Sequence, residues 1–233
     1  MTEIPTGVHF PSDVEKHFTE SGAYREGHFK LKSGRHGDRY LEKFQVLQWP
    51  ERVAQLCQLL ADVGRNPDRT SRVDVVVGPT TGGVILAYEV ARQLGVRGFF
   101  AEQANGPDGS HRREFRRGFT ISPGERVLLV DDVVTTGASL VEMVPLIEAT
   151  GGELVAVAVI VDRSGAGGDV VSPTSGREYP VEALWTVSLP TYEPGPATCP
   201  GCAAGTPLEA PGSSGLSGPG LSGRSDPATS PGA

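Results

Sequence analysis

The residues with most chemistry to offer are two neighbouring carboxylates, Asp131 and Asp132, and the run Thr135-Thr136-Gly137-Ala138-Ser139 just beyond them. A glycine in such a run lets backbone N–H groups approach an anion closely. The hydroxyls add donors, and a helix beginning there would contribute its unpaired amides and positive dipole end. This is a phosphate cradle. Acids beside it would repel a ligand that was only phosphate. They suit a ligand with phosphate at one end and vicinal hydroxyls nearby, which describes a ribose 5-phosphate. A nucleotide-binding P-loop is excluded, because neither Gly-Lys-Ser nor Gly-Lys-Thr occurs in the chain.

The stretch from Arg126 to Ser139, R-V-L-L-V-D-D-V-V-T-T-G-A-S, resembles the phosphoribosyl pyrophosphate (PRPP) motif of the type I phosphoribosyltransferases. The resemblance implies that Asp131 and Asp132 hold the ribose 2′- and 3′-hydroxyls, and that Thr135, Thr136, Gly137, Ala138 and Ser139 hold the 5′-phosphate. A second segment, F-K-L-K-S-G-R from Phe29 to Arg35, is similar to the N-terminal hood of orotate phosphoribosyltransferases. It implies that Lys32 contacts pyrophosphate, that Ser33 and Gly34 shape a turn, and that Tyr40 with Leu41 lies against the orotate ring. The family shows an aromatic pair where this chain has Tyr40-Leu41. By the same resemblance Gly78 to Gly83 is the pyrophosphate loop, giving Thr80, Thr81 and Gly82 to PRPP. Arg163 would bind the orotate carboxylate, with Thr135 also at the orotate.

The implied reaction moves the ribosyl phosphate of PRPP to orotate, giving orotidine monophosphate and pyrophosphate in pyrimidine biosynthesis. Mg²⁺ arrives on PRPP, no protein-bound metal is implied, and the family assembles as homodimers. Family lids carry a catalytic lysine. Here the lysines are Lys16, Lys30, Lys32 and Lys43, none of them in the lid, which leaves His111, Arg112 and Arg113 for that role. A phosphoribosyltransferase for another nucleobase and a non-catalytic PRPP-binding regulator are the alternative readings.

These residues need elements to position them. Arg126 to Val130 reads as a strand buried on both faces, delivering the acids at its carboxyl end, where open α/β sheets bind their ligands. Val73 to Val77 is a similar strand before Gly78-Pro79-Thr80-Thr81-Gly82-Gly83, a second turn of the same physical kind. Further strands are expected at Val96 to Glu102, Leu154 to Val161 and Val181 to Leu189. Helices are expected over residues 13–20 with Ser12 as cap, after Pro50 with Val53, Leu56 and Leu60 inward, after Gly83, and after Ser139, where Pro145 should kink or shorten the helix. Gln103 to Glu114 is too polar to pack and reads as a mobile lid rich in arginine, with Phe115 to Ile121 pairing back as a strand. Ala166 to Glu178 reads as a loop. The expected fold is α/β, a doubly wound parallel sheet of about five strands with a small hood. Its divisions are a hood over residues 1–50, a core over 51–192, an extension over 193–209 and a tail over 210–233.

Composition sets the class. A chain of 233 residues can bury one α/β core, and its formal charge of −7 argues against a nucleic-acid surface, so an anionic substrate must be drawn by local cations. No signal-peptide core or membrane span is legible, and with only three cysteines the expected compartment is the cytoplasm. Cys199-Pro200-Gly201-Cys202 is half of a zinc site at best, two free thiols otherwise. Residues 210–233 are almost wholly Gly, Pro, Ser, Ala, Thr and Leu and read as disordered.

Overall fold

The computed structural model describes residues 11–106, 111–164 and 168–211. The tail from 212 onward therefore lies outside the described residues. The chain forms two compact units, Met1–Glu26 with Arg39–Pro190, and Gly27–Asp38 with Thr191–Ala233.

In chain order the elements are α1 (Pro11–Glu20), β1 (Tyr24–Lys30), β2 (His36–Leu41), α2 (Phe44–Leu47), α3 (Pro50–Val63), β3 (Val75–Pro79), α4 (Gly82–Leu94) and β4 (Arg97–Asn105). They continue with β5 (His111–Glu114), β6 (Arg126–Val134), α5 (Ala138–Ala149), β7 (Glu153–Asp162), β8 (Asp169–Val171), β9 (Glu178–Thr186), β10 (Thr191–Tyr192) and α6 (Pro200–Ala203).

The main sheet runs β5-β4-β3-β6-β7-β9-β8. Its five inner strands are the five expected from the sequence, and every pairing among them is parallel. Alternate residues of β6 enter opposite cores. Leu128 and Val130 join the side built with α3 and α4, whereas Val127 and Leu129 face Leu140, Met143, Val144 and Ile147 of α5. Helices on both faces explain why these strands read as continuous apolar runs rather than alternating ones. After β3 the chain moves to β4 on one side, and after β6 it moves to β7 on the other. The topological switch therefore falls at the carboxyl ends of β3 and β6, where such sheets place their ligands.

The sheet has two more strands than expected, both antiparallel additions at its edges. β8 lies within the segment read as a loop, pairing with β9 from Asp169↔Pro180 to Val171↔Glu178. β5 pairs with the end of β4 from Glu102↔Glu114 to Asn105↔His111, so most of the expected lid is a β-ribbon; residues 107–110 lie outside the described residues. Polarity misled the sequence reading here. An edge ribbon is held by its ladder hydrogen bonds and tolerates charged side chains on both faces. Phe115 to Ile121 is not a strand. Instead Phe115 and Phe119 pack on Phe99, with ring centroids 5.2 and 5.0 Å away. Pro145 does not shorten α5, which continues to Ala149. α1 starts at Pro11, which puts Ser12 inside its first turn rather than at the cap. Among the described residues no helix is long and apolar enough to cross a membrane.

Candidate active site

β6 delivers Asp131 and Asp132 to the switch point almost fully buried, at 5% and 2% exposure. Asp131 accepts hydrogen bonds from the Ser139 hydroxyl at 2.7 Å and the Asp132 N–H at 2.8 Å. Burial, and next the neighbouring Asp132 carboxylate, push the Asp131 carboxyl up to about 6. Ser139, expected on phosphate, thus spends its proton on the acid pair. Asp132 accepts from the Val133 N–H at 2.6 Å and from the Lys43 ammonium at 2.8 Å on Oδ1. The same ammonium stands 2.8 Å from Oδ2. Lys43 is the site residue that the sequence reading missed. It lies 89 positions from Asp132, just past β2, and its only advance signal was that the chain has so few lysines.

The cradle follows at once. Thr135 and Thr136 are exposed, and Gly137 takes a left-handed φ of 76° that lets the chain turn into α5 at Ala138. The first amides of α5 therefore stand beside the acids, as expected for an anion site.

The second loop, between β3 and α4, is built by close approach. A Cβ on Gly82 would lie 1.5 Å from Asp132 Oδ2, and one on Gly78 would lie 2.5 Å from the Gly83 carbonyl oxygen. These glycines are needed for packing against the acid pair and against each other, whatever else the loop binds. The Thr80–Thr81 peptide bond is cis, and the Thr80 N–H donates to the Ala101 carbonyl at 3.0 Å.

The cations expected in the lid are already engaged. Arg113 donates to Glu142 on α5 at 2.9 Å and to the Thr80 hydroxyl and carbonyl at 3.0 and 3.2 Å, which ties β5 to the second loop. Arg112 and Arg116 both pair with Glu114, at 2.5 and 2.9 Å, and Arg117 with Glu102 at 2.7 Å. His111 has its backbone on β5, paired with Asn105, and its side chain lies outside the described set.

Arg163 differs from all of these. It follows directly on β7, its N–H bonded to the Val134 carbonyl at 2.8 Å, half-buried, with Nε lacking a hydrogen-bond partner among the described residues. Desolvation lowers its pKa, and the nearby Tyr40 hydroxyl opposes this only weakly. Asp162, the obvious structural partner, instead accepts from the Ser164 N–H at 2.7 Å. Tyr40 titrates above its ordinary range, chiefly through burial and then through Glu42. Lys32 lies in the turn between β1 and β2, within the smaller unit.

Comparison with known proteins agrees with this geometry. The phosphoribosyl transferase domain family matches residues 44–189. The orotate phosphoribosyltransferase of Desulforamulus reducens is 44% identical over 196 residues, 84% of this chain and 93% of that protein. That of Thermotoga maritima is 41% identical over 203 residues, 87% and 99% of the two chains. The crystal structure of orotate phosphoribosyltransferase from Aeropyrum pernix aligns with a TM-score of 0.57 at 26% identity, covering 75% of this chain and 93% of that one. Adenine phosphoribosyl transferase from Trypanosoma brucei shares the fold, with a TM-score of 0.56 at 20% identity over 79% and 82% of the chains. A sheet whose switch point carries an acid pair, a hydroxyl-lined cradle and a glycine-packed loop, together with these relatives, places the chain in the type I phosphoribosyltransferase family, alongside the orotate phosphoribosyltransferases.

Proposed function

We propose that the chain transfers ribose 5-phosphate from PRPP to orotate, releasing pyrophosphate and forming orotidine monophosphate. The observation that carries the choice of orotate is Arg163, a half-buried guanidinium near Tyr40 whose buried Nε–H has no acceptor among the described residues. A planar carboxylate on a flat ring would accept that fork in two parallel hydrogen bonds, with the phenol alongside.

The residues divide the work. The amides of α5 and the hydroxyls of Thr135 and Thr136 hold the 5′-phosphate. Asp131 and Asp132 take the ribose hydroxyls, and their charge faces the sugar ring as the anomeric carbon becomes positive. The bond from that carbon to the pyrophosphate oxygen breaks as the ring nitrogen of orotate forms the new bond, and the proton of that ring N–H passes to the departing pyrophosphate or to solvent. Departing pyrophosphate is met by the Thr80–Gly82 loop, with Arg113 beside it. The catalysis is positioning and electrostatics, without a covalent intermediate. Mg²⁺ enters on PRPP as part of the substrate. Asp132 is already paired with Lys43, so a hard cation would draw most of its oxygens from the diphosphate and water. The family's homodimer and a place in pyrimidine nucleotide synthesis accompany this reading.

The test is release of pyrophosphate from PRPP by the purified full chain. Release that requires orotate, and that uracil or a purine does not support, is expected. Turnover only with another base would replace orotate. Tight calorimetric binding of PRPP with no turnover on any base would replace catalysis with sensing.

A further inference from the structure

The smaller unit holds four side chains that the proposed reaction does not use. His28 on β1, His36 on β2, Cys199 just before α6 and Cys202 within it converge so that one ligand atom from each lies within 4.8 Å of all the others. We propose that these residues bind a structural Zn²⁺.

The local chain explains the convergence. Leu31 and Arg35 pair across the turn, which sets His28 and His36 on one face of the hairpin, diagonally opposed. Pro200 starts the short turn of α6, and C-x-x-C spacing over such a turn points both sulfurs the same way. The segment after it runs back along β1, with the Glu209 N–H donating to the His28 carbonyl and the Lys30 N–H to the Glu209 carbonyl, at 2.8 and 2.7 Å. Gly201 lies flat on the His28 ring. A Cβ there would come within 2.5 Å of the imidazole Cγ, so no residue with a side chain fits at position 201 without displacing His28.

The protonation pattern is that of a metal ligand. His28 Nδ1 is 2.8 Å from the Thr206 carbonyl, which can only accept, so Nδ1 carries the proton. In the neutral ring the lone pair is then on Nε2, which stands 3.3 Å from Cys199 Sγ, 3.5 Å from Cys202 Sγ and 2.9 Å from His36 Nδ1. Cys202 Sγ is also 3.3 Å from His36 Nδ1. A backbone carbonyl fixing the far nitrogen is the usual outer support of a zinc histidine. Zinc bonds of about 2.0–2.1 Å to nitrogen and about 2.3 Å to sulfur give tetrahedral edges of roughly 3.3–3.8 Å. The four contacts fall at or a few tenths below that range. Two thiolates and two imidazoles with no carboxylate select zinc over the hard Mg²⁺ that accompanies PRPP.

The unit also needs a staple. Phe29 and Cys199 are the only buried apolar side chains among its described residues, too little core for a segment of this size to hold its own shape. A zinc ion would join the hairpin to a segment 171 positions away, between His28 and Cys199, as the two thiols give up their protons. Lys32 sits in the turn between the two histidines, so the same ion would fix the hairpin that presents it.

The experiment uses the full chain, purified without chelator from zinc-supplemented cells, and reads metal content by mass spectrometry. One zinc per chain is expected, falling to a trace in Cys202→Ser and in His36→Ala. Stripping the native protein and adding Co²⁺ alone should give the intense near-ultraviolet sulfur-to-cobalt band and the visible bands of a tetrahedral site. This spectrum decides the matter even if the variants fail to fold. Zinc-free protein whose thiols react freely, zinc retained by both variants, or a cobalt spectrum showing only oxygen ligands would each overturn the proposal. None of these readouts involves PRPP or orotate, so the metal site and the proposed reaction stand or fall separately.

Discussion

The arginines of β5 and its flank, and the arginine after β7, are chemically identical and electrostatically opposite. Arg112, Arg113, Arg116 and Arg117 each face a glutamate, whereas Arg163 is half-buried with Nε unbonded among the described residues. Asp131 belongs with Arg163, because its carboxyl is also pushed by burial toward its neutral form. The difference separates groups whose charge is answered within the protein from groups whose charge is still available. A ligand must compete with Glu114 for Arg112, whereas among the described residues no carboxylate pairs with Arg163. Removing an uncompensated group should therefore cost function heavily, and removing a compensated one should cost little.

The largest effect is expected at Arg163→Ala, where kcat/KM for orotate should fall by about a hundredfold or more while the KM for PRPP stays within about threefold. Steady-state kinetics with each substrate varied gives both numbers, and equal losses would erase the distinction between Arg163 and the paired arginines.

Asp131→Asn sharpens the comparison from the side of stability. The ordinary carboxyl value is 3.8 and the folded value about 6, so the folded state holds this proton more tightly than the unfolded chain. Stability from that proton is fully present below about 3.8 and is lost as pH rises through about 6, leaving a buried charge above it. The variant should be inactive yet more stable than the parent at pH 8, by on the order of 2 kcal/mol. Its advantage should fade by pH 4. Denaturant titrations at the two pH values check this, and a variant less stable at pH 8 would contradict it.

Arg113→Ala removes a group that is paired but touches Thr80. About a tenfold loss is expected, carried by PRPP rather than orotate. Arg117→Ala should change either constant by less than about twofold, since its side chain is largely exposed and its pair with Glu102 is screened by solvent. A loss at Arg117 as large as at Arg163 would mean that pairing in the free protein says nothing about function.

Much of this was legible because it is local. The apolar run into Asp131 and Asp132, and the glycine that turns the chain into α5, are fixed by neighbours a few residues away. So are the five parallel strands, whose burial on both faces leaves an unbroken apolar signature. What could not be read depends on partners far along the chain. Lys43 reaches Asp132 from another element. The lid arginines look free until the glutamates of β4, β5 and α5 arrive beside them. His28 and His36 look like surface hairpin residues until Cys199 and Cys202 are folded against them. The edge strands β5 and β8 escaped notice for a different reason, since a ladder at a sheet edge needs no apolar pattern.

The contact between Gly82 and Asp132 has a mechanical consequence. With no room for even a methyl group between them, the loop after β3 cannot move toward the acids at the end of β6 without displacing Asp132. In the proposed reaction, a ligand that shifts the loop would therefore press on the acids assigned to its sugar. Redesigning either end of the pocket alone would deform the other.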